Sequence, residues 1–207
     1  MHNADHIVTA GTPLNEAKKV MIMIHGRGAT AQSILSLSAH FNAEKMAFLA
    51  PQATGNTWYP YSFMAPMEHN QPGLSSALSV IGGLVEKLKT VDGFQQEDIY
   101  LLGFSQGACL ALEFAARNAG QYGGIFGLSG GLIGPEGTPR DYKGSLLQTP
   151  VFLGCSDIDH HIPKDRVVES GEVFTTMGAL VTVQLYKNFG HSVNNEEIDF
   201  INEVLRS

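Results

Sequence analysis

The chain has 207 residues, 43% of them hydrophobic and 16% charged, a length that suits one α/β domain over residues 1–207 and leaves little for a second core. Twenty acidic side chains against thirteen Lys and Arg give a net charge of −7, and no three basic residues adjoin. Such a chain lacks the basic groups that phosphate contacts need, which excludes nucleic acid and anionic lipid as general partners. In chain order, the opening Met1-His2-Asn3-Ala4-Asp5-His6 has neither a basic n-region nor an apolar h-region, so no signal peptide is expected. Val20–Ile24 is a short, wholly apolar strand, far too brief for stable membrane insertion, and ends in His25-Gly26-Arg27-Gly28. Ala29–Phe41 repeats apolar residues at helical spacing, and Met46–Ala50 reads as a second strand stopped by Pro51.

Further along, Gly73–Thr90 is an amphipathic helix with Leu74, Leu78, Ile81, Val85 and Leu88 on one face. Ile99–Phe104 is a strand and Gln106–Asn118 a helix closed by Gly120. Gly124–Leu128, Val151–Gly154 and Val181–Tyr186 add strands, while Val167–Met177 and Glu196–Leu205 add helices. Continuous apolar strands alternating with helices imply an α/β fold, a mostly parallel sheet covered by helices on both faces. Cys109 and Cys155 fall inside predicted elements, as small buried hydrophobes of a reducing compartment, so a cytoplasmic protein is expected.

In sheets of this kind chemistry collects beyond the carboxyl ends of the strands. There stands Gly103-Phe104-Ser105-Gln106-Gly107, a G-x-S-x-G motif between a predicted strand and a predicted helix, the setting a nucleophile elbow requires. A glycine-flanked serine can simply cap a buried helix; the strand–turn–helix context favours Ser105 as nucleophile. A serine nucleophile needs a base and an acid that orients it, in the chain order Ser, Asp or Glu, His. His191, after the last strand and behind Gly190, fits the base; His160 and His161 leave no obvious place for an acid before them. Asp157 and Asp159 share one loop, and both are candidates for the acid.

The amide of Gln106 would supply one half of an oxyanion hole. The loop after the first core strand would supply the other, through the amide of Arg27 between two glycines. The Arg27 side chain could pair with a carboxylate of the fold or hold an anionic substrate. Thr57–Met67 is rich in aromatics and methionine, without a clean period and with two prolines. It reads as a loop packed on the core or as an apolar wall beside Ser105 built from Trp58, Tyr59, Phe63 and Met64. Only about twenty residues separate Leu128 from Pro150, too few for a large cap domain, which predicts an open site for small or medium esters.

Taken together, His25-Gly26-Arg27-Gly28, Ala50-Pro51-Gln52-Ala53, Trp58-Tyr59, Gly103-Phe104-Ser105-Gln106-Gly107, Leu128-Ser129-Gly130, Asp159 with Ile162-Pro163, and Gly190-His191 resemble the phospholipase/carboxylesterase family of α/β-hydrolases. Small bacterial carboxylesterases and acyl-protein thioesterases belong to that family. The resemblance implies the α/β-hydrolase fold and a serine esterase acting on small-molecule esters without metal or organic cofactor. Setting Ile162-Pro163 on the family's Val-Pro puts Asp159 on the triad acid and leaves Asp157 to cap its loop. Ser105, Asp159 and His191 are then the implied triad, Arg27 and Gln106 the implied oxyanion hole, and a homodimer is among the assemblies the family admits. Arg27 replaces the leucine usual in acyl-protein thioesterases, and Cys155-Ser156 replaces the usual His-Gly. Both departures weigh against protein deacylation. A thioesterase or lysophospholipase, a dienelactone-hydrolase-like enzyme and an inactive binding protein on the same fold are the rival readings.

Overall fold

A computed structural model describes residues 1–3 and 6–206; Ala4 and Asp5, part of the opening read for a leader, lie outside the described residues, as does Ser207. A seven-stranded sheet forms the centre, in the order β1-β3-β2-β4-β5-β6-β7. Its strands are β1 (Ile7–Gly11), β2 (Lys19–Ile24), β3 (Met46–Pro51), β4 (Ile99–Phe104), β5 (Gly124–Leu128), β6 (Pro150–Ser156) and β7 (Leu180–Tyr186). β1 pairs antiparallel with β3, and every other neighbouring pair is parallel. The helices are α1 (Ala31–Leu35), α2 (Gly73–Thr90), α3 (Gln106–Arg117), α4 (Lys164–Thr176) and α5 (Asn195–Arg206). The architecture is the α/β-hydrolase fold.

Side chains alternate across a strand, so a sheet buried on both faces feeds two cores from one apolar run. Val20, Ile22 and Ile24 of β2 join residues of α2, α3 and α4 in one cluster. Met21 and Met23 join α1 and α5 in the other. All five are fully buried, which is why β2 shows no polar alternation.

Two elements differ from the sequence expectation. β1 was not foreseen: it is a partly exposed edge strand, five residues long, whose apolar residues form no sustained run. The helix expected over Ala29–Phe41 is a single α-helical turn, Ala31–Leu35, followed by a 3₁₀ segment at Ser36–His40. Ser33 and Ser36 bond back to the carbonyls of Thr30 and Ser33, both at 2.7 Å, a local alternative to a continued α-helix. Residues 129–149 hold no helix or strand, and among the described residues they insert no cap domain between β5 and β6.

α5 begins with a reciprocal cap. The Asn194 amide donates to Glu197 Oε2 at 2.9 Å, and the Glu197 amide donates to Asn194 Oδ1 at 3.0 Å. Glu197 is 1% exposed and lies against Gly154 of β6, where no side chain would fit. Burial pushes its carboxyl up from 4.5 to about 7, against the bond from Asn194. The folded chain therefore holds a proton that the unfolded chain releases, and stability falls as pH rises between those values. We expect Glu197→Gln to gain about 3 kcal/mol relative to wild type across that interval. Urea unfolding at several pH values measures this, and a pH-independent difference between the two proteins would refute it.

Candidate active site

The site starts from a steric constraint at the end of β4. Ser105 stands between strand and helix at φ 56° and ψ −119°, a conformation unfavourable for a side chain, and its N–H donates to the Leu128 carbonyl at 2.9 Å. The turn closes because Gly103 and Gly107 have no Cβ. One at Gly103 would collide with the Gly107 backbone, and one at Gly107 with the Ile24 carbonyl. The hydroxyl is thereby held out over the carboxyl edge of the sheet, ahead of the first turn of α3.

His191 Nε2 lies 2.8 Å from Ser105 Oγ, and His191 Nδ1 lies 2.6 Å from Asp159 Oδ2. The Asp159 side chain is sealed from solvent, whereas 23% of the His191 side chain remains open. Asp159 Oδ1 accepts the amides of His161 at 2.8 Å and Ile162 at 3.1 Å. The Cys155 thiol approaches Oδ2 at 3.7 Å. Burial raises the Asp159 carboxyl, but the bonds from His191, His161 and Ile162, together with the His191 charge, outweigh it and leave the group below its ordinary value. These bonds favour the ionised carboxylate beside His191.

Asp157 points elsewhere. Its Oδ1 accepts the Asn188 amide at 2.8 Å, and Ser156 Oγ accepts the Gly190 amide at 3.1 Å. The two residues pin the loop that carries His191. Ser156 was not singled out from the sequence, and a small polar residue in a strand-end loop carries no signal of that duty.

The His25–Gly28 loop lies against the elbow: a Cβ on Gly26 would stand 3.4 Å from Ser105 Cβ. His25 is fully buried. Its Nδ1 lies 2.7 Å from the Gly26 carbonyl, and its Nε2 accepts the Ala53 amide at 3.1 Å. Burial lowers its pKa, against the bond to Gly26, so this imidazole is a neutral strut. Among the described residues, neither the Arg27 amide nor the Gln106 amide donates to a protein carbonyl or side chain. Both remain available to an incoming oxygen.

The Gln106 side chain has a further part that sequence reasoning missed. Its Oε1 accepts the Trp58 amide at 2.9 Å and the Thr57 hydroxyl at 3.3 Å, and its Nε2 donates to the Tyr59 carbonyl at 2.9 Å. This clamp ties the aromatic loop to the residue after Ser105.

Above Ser105 opens a cavity of about 610 Å³. Tyr59 and Phe63 line it, as expected from the sequence, but Trp58 and Met64 do not. Trp58 is fully buried beneath the wall, where its Nε1–H donates to the His25 carbonyl at 2.9 Å, and Met64 packs against the core. The backbone clamp on residues 57–59 sets this facing, which no period in the sequence records. Tyr61, Phe104, His161 and Ile162 complete much of the wall.

The profile of the phospholipase/carboxylesterase family matches residues 5–207, and the chain belongs to that family of hydrolases. A crystal structure of a phospholipase/carboxylesterase from Dyadobacter fermentans is 46% identical, with a TM-score of 0.95 over 100% of this chain and 98% of that one. Acyl-protein thioesterase 1 of Kluyveromyces lactis is 27% identical over 99% of this chain and 98% of its own. The structure of esterase PE8 shares the fold at 22% identity, with a TM-score of 0.81 over 96% of each chain.

The clamp carries a stability expectation. Gln106→Ala leaves the buried Trp58 amide without an acceptor and removes the bond to Tyr59, for a loss of about 2 kcal/mol. Urea denaturation followed by Trp58 fluorescence would read it, and an unchanged midpoint would rule the clamp out.

Proposed function

We propose that the chain is a serine esterase that cleaves carboxylic esters of small to medium size through an acyl-Ser105 intermediate. The observation that carries this reading is the unbroken hydrogen-bonded line from Asp159 through His191 to Ser105 at the floor of an open, largely apolar cavity. His191 Nε2 takes the Ser105 proton as Oγ attacks the ester carbonyl carbon. The carbonyl oxygen becomes an oxyanion, for which the amides of Arg27 and Gln106 are the donors. On collapse the alkoxy oxygen leaves with the proton from His191, and the acyl group stays on Oγ. Water then gives a proton to His191 and attacks the acyl carbon, the carbon–Oγ bond breaks, and Ser105 recovers its proton. Asp159 stays ionised throughout, holding Nδ1 protonated and stabilising the imidazolium.

Thioester cleavage is the second reading, favoured by the full-length similarity to acyl-protein thioesterase 1. Matched oxygen esters and thioesters of one acyl group separate the two.

The decisive experiment combines fluorophosphonate labelling, read by intact mass, with hydrolysis of a chromogenic ester. Ser105→Ala should abolish labelling and lower kcat by at least about a thousandfold. Asp159→Asn should slow both by about a hundredfold or more, whereas Asp157→Asn keeps the Asp159–His191 bond and should change them far less. Full turnover by Ser105→Ala would overturn the proposal, and an unlabelled, folded wild type would favour the binding-protein reading.

A further inference from the structure

The permanent charge in the cavity wall is opposite in sign to that of the chain as a whole. In a chain of net charge −7, the lining holds Arg27, His161 and His191 and no Asp or Glu. Asp159, which contacts His191 behind the wall, is itself sealed from solvent. Arg117, Arg140 and Arg166 each hold a glutamate, while Arg27 holds none among the described residues. Its acceptors are neutral: Nη1 donates to Thr57 Oγ1 at 3.0 Å and to the Pro60 carbonyl at 2.9 Å, and Nη2 donates to the Tyr61 carbonyl at 2.6 Å.

Guanidinium has five N–H donors in a fixed plane. Three serve the 57–61 loop, and the Nε–H and the second Nη2–H have no protein acceptor among the described residues. Nε and Nη2 lie along one edge of the guanidinium, and the donors of that edge match the spacing of two carboxylate oxygens. The loop bonds and the Tyr59 ring, 5.9 Å from the guanidinium carbon, hold that edge in place, so little side-chain freedom is lost when an anion docks.

We propose, on the basis of the esterase reading above, that the substrates of this site are short esters bearing one carboxylate, with Arg27 as the residue that selects them. The class comprises monoesters of dicarboxylic acids, with the charge on the acyl part, and esters of hydroxy acids, with it on the leaving alcohol. One permanent cation in an otherwise mostly apolar cavity matches a monoanion better than a dianionic phosphate. Arg27 then acts twice, through its amide on the oxyanion and through its side chain on the distal charge.

Two matched pairs of esters test this with the full chain. p-Nitrophenyl hydrogen adipate against p-nitrophenyl hexanoate places the charge on the acyl part. 4-Carboxyphenyl hexanoate against 4-carbamoylphenyl hexanoate places it on the alcohol. In at least one pair, wild type should favour the charged member by about fivefold or more in kcat/KM at low salt, the scale of one well-aligned charge pair near a surface. The ratio should fall towards one in Arg27→Gln, lie between in Arg27→Lys, and shrink in about 0.5 M salt. Each ratio is taken within one protein, so a general loss of activity through the disturbed loop or amide cancels. Ser105-dependent turnover with no charge preference, or a preference unaltered in Arg27→Gln, overturns the selectivity and leaves the esterase reading standing. Absence of both turnover and fluorophosphonate labelling overturns the esterase reading, and the selectivity falls with it.

Discussion

The geometry of the site depends on backbone packing at the β4–α3 turn. The chain leaves the strand and enters the helix within one residue, at a φ that costs energy for any side chain, and it can do so only where Gly103 and Gly107 let carbonyls and amides pass within contact distance. That approach brings the end of β2 against the start of α3, which is why the Gly26–Arg27 backbone lies beside Ser105. Ser105 and the two amides assigned to the oxyanion are thus products of one close approach between main chains.

Around that centre, polar side chains bonded to backbone hold the loops. Gln106 grips residues 57–59, Asn70 takes the Tyr61 amide at 2.9 Å and donates to the Ser62 carbonyl at 2.8 Å, and Ser156 with Asp157 fixes the turn before His191. Loops at the carboxyl ends of strands have no ladder to satisfy their amides, so buried side-chain oxygens and nitrogens do that work. The consequence is a wall whose facing is set: Tyr59 and Phe63 towards the cavity, Trp58 into the core.

Charge is partitioned in the same manner. The acidic surplus of the chain is absent from the cavity wall, and Asp159, which contacts His191, is itself sealed from solvent. The permanent charge in that wall, Arg27, is opposite in sign to the net charge of the molecule. Net charge bears on nucleic acid as a class of ligand to expect, while saying nothing of the sign a small substrate would meet.

Much of this was legible in the residues. β2, β4, β5 and β6 are buried on both faces, so each is a bare apolar run, and G-x-S-x-G at a strand–helix junction marks its own turn because few other residues can occupy it. The edge strand β1 escaped, since half-exposed residues paired on one side need no distinctive pattern. The choice between Asp157 and Asp159 rested on a family resemblance, and tertiary structure separates them physically: one carboxylate meets His191, while the other, two residues earlier, meets the Asn188 amide. Local pattern therefore determined the strands β2 to β7, most of the helices and the serine turn, because each is governed by periodicity or by backbone sterics within a few residues. Which acid reaches the histidine, which aromatics face the cavity, and that Arg27 has no carboxylate partner among the described residues were decided by contacts between segments thirty or more residues apart. No short-range pattern encodes such contacts.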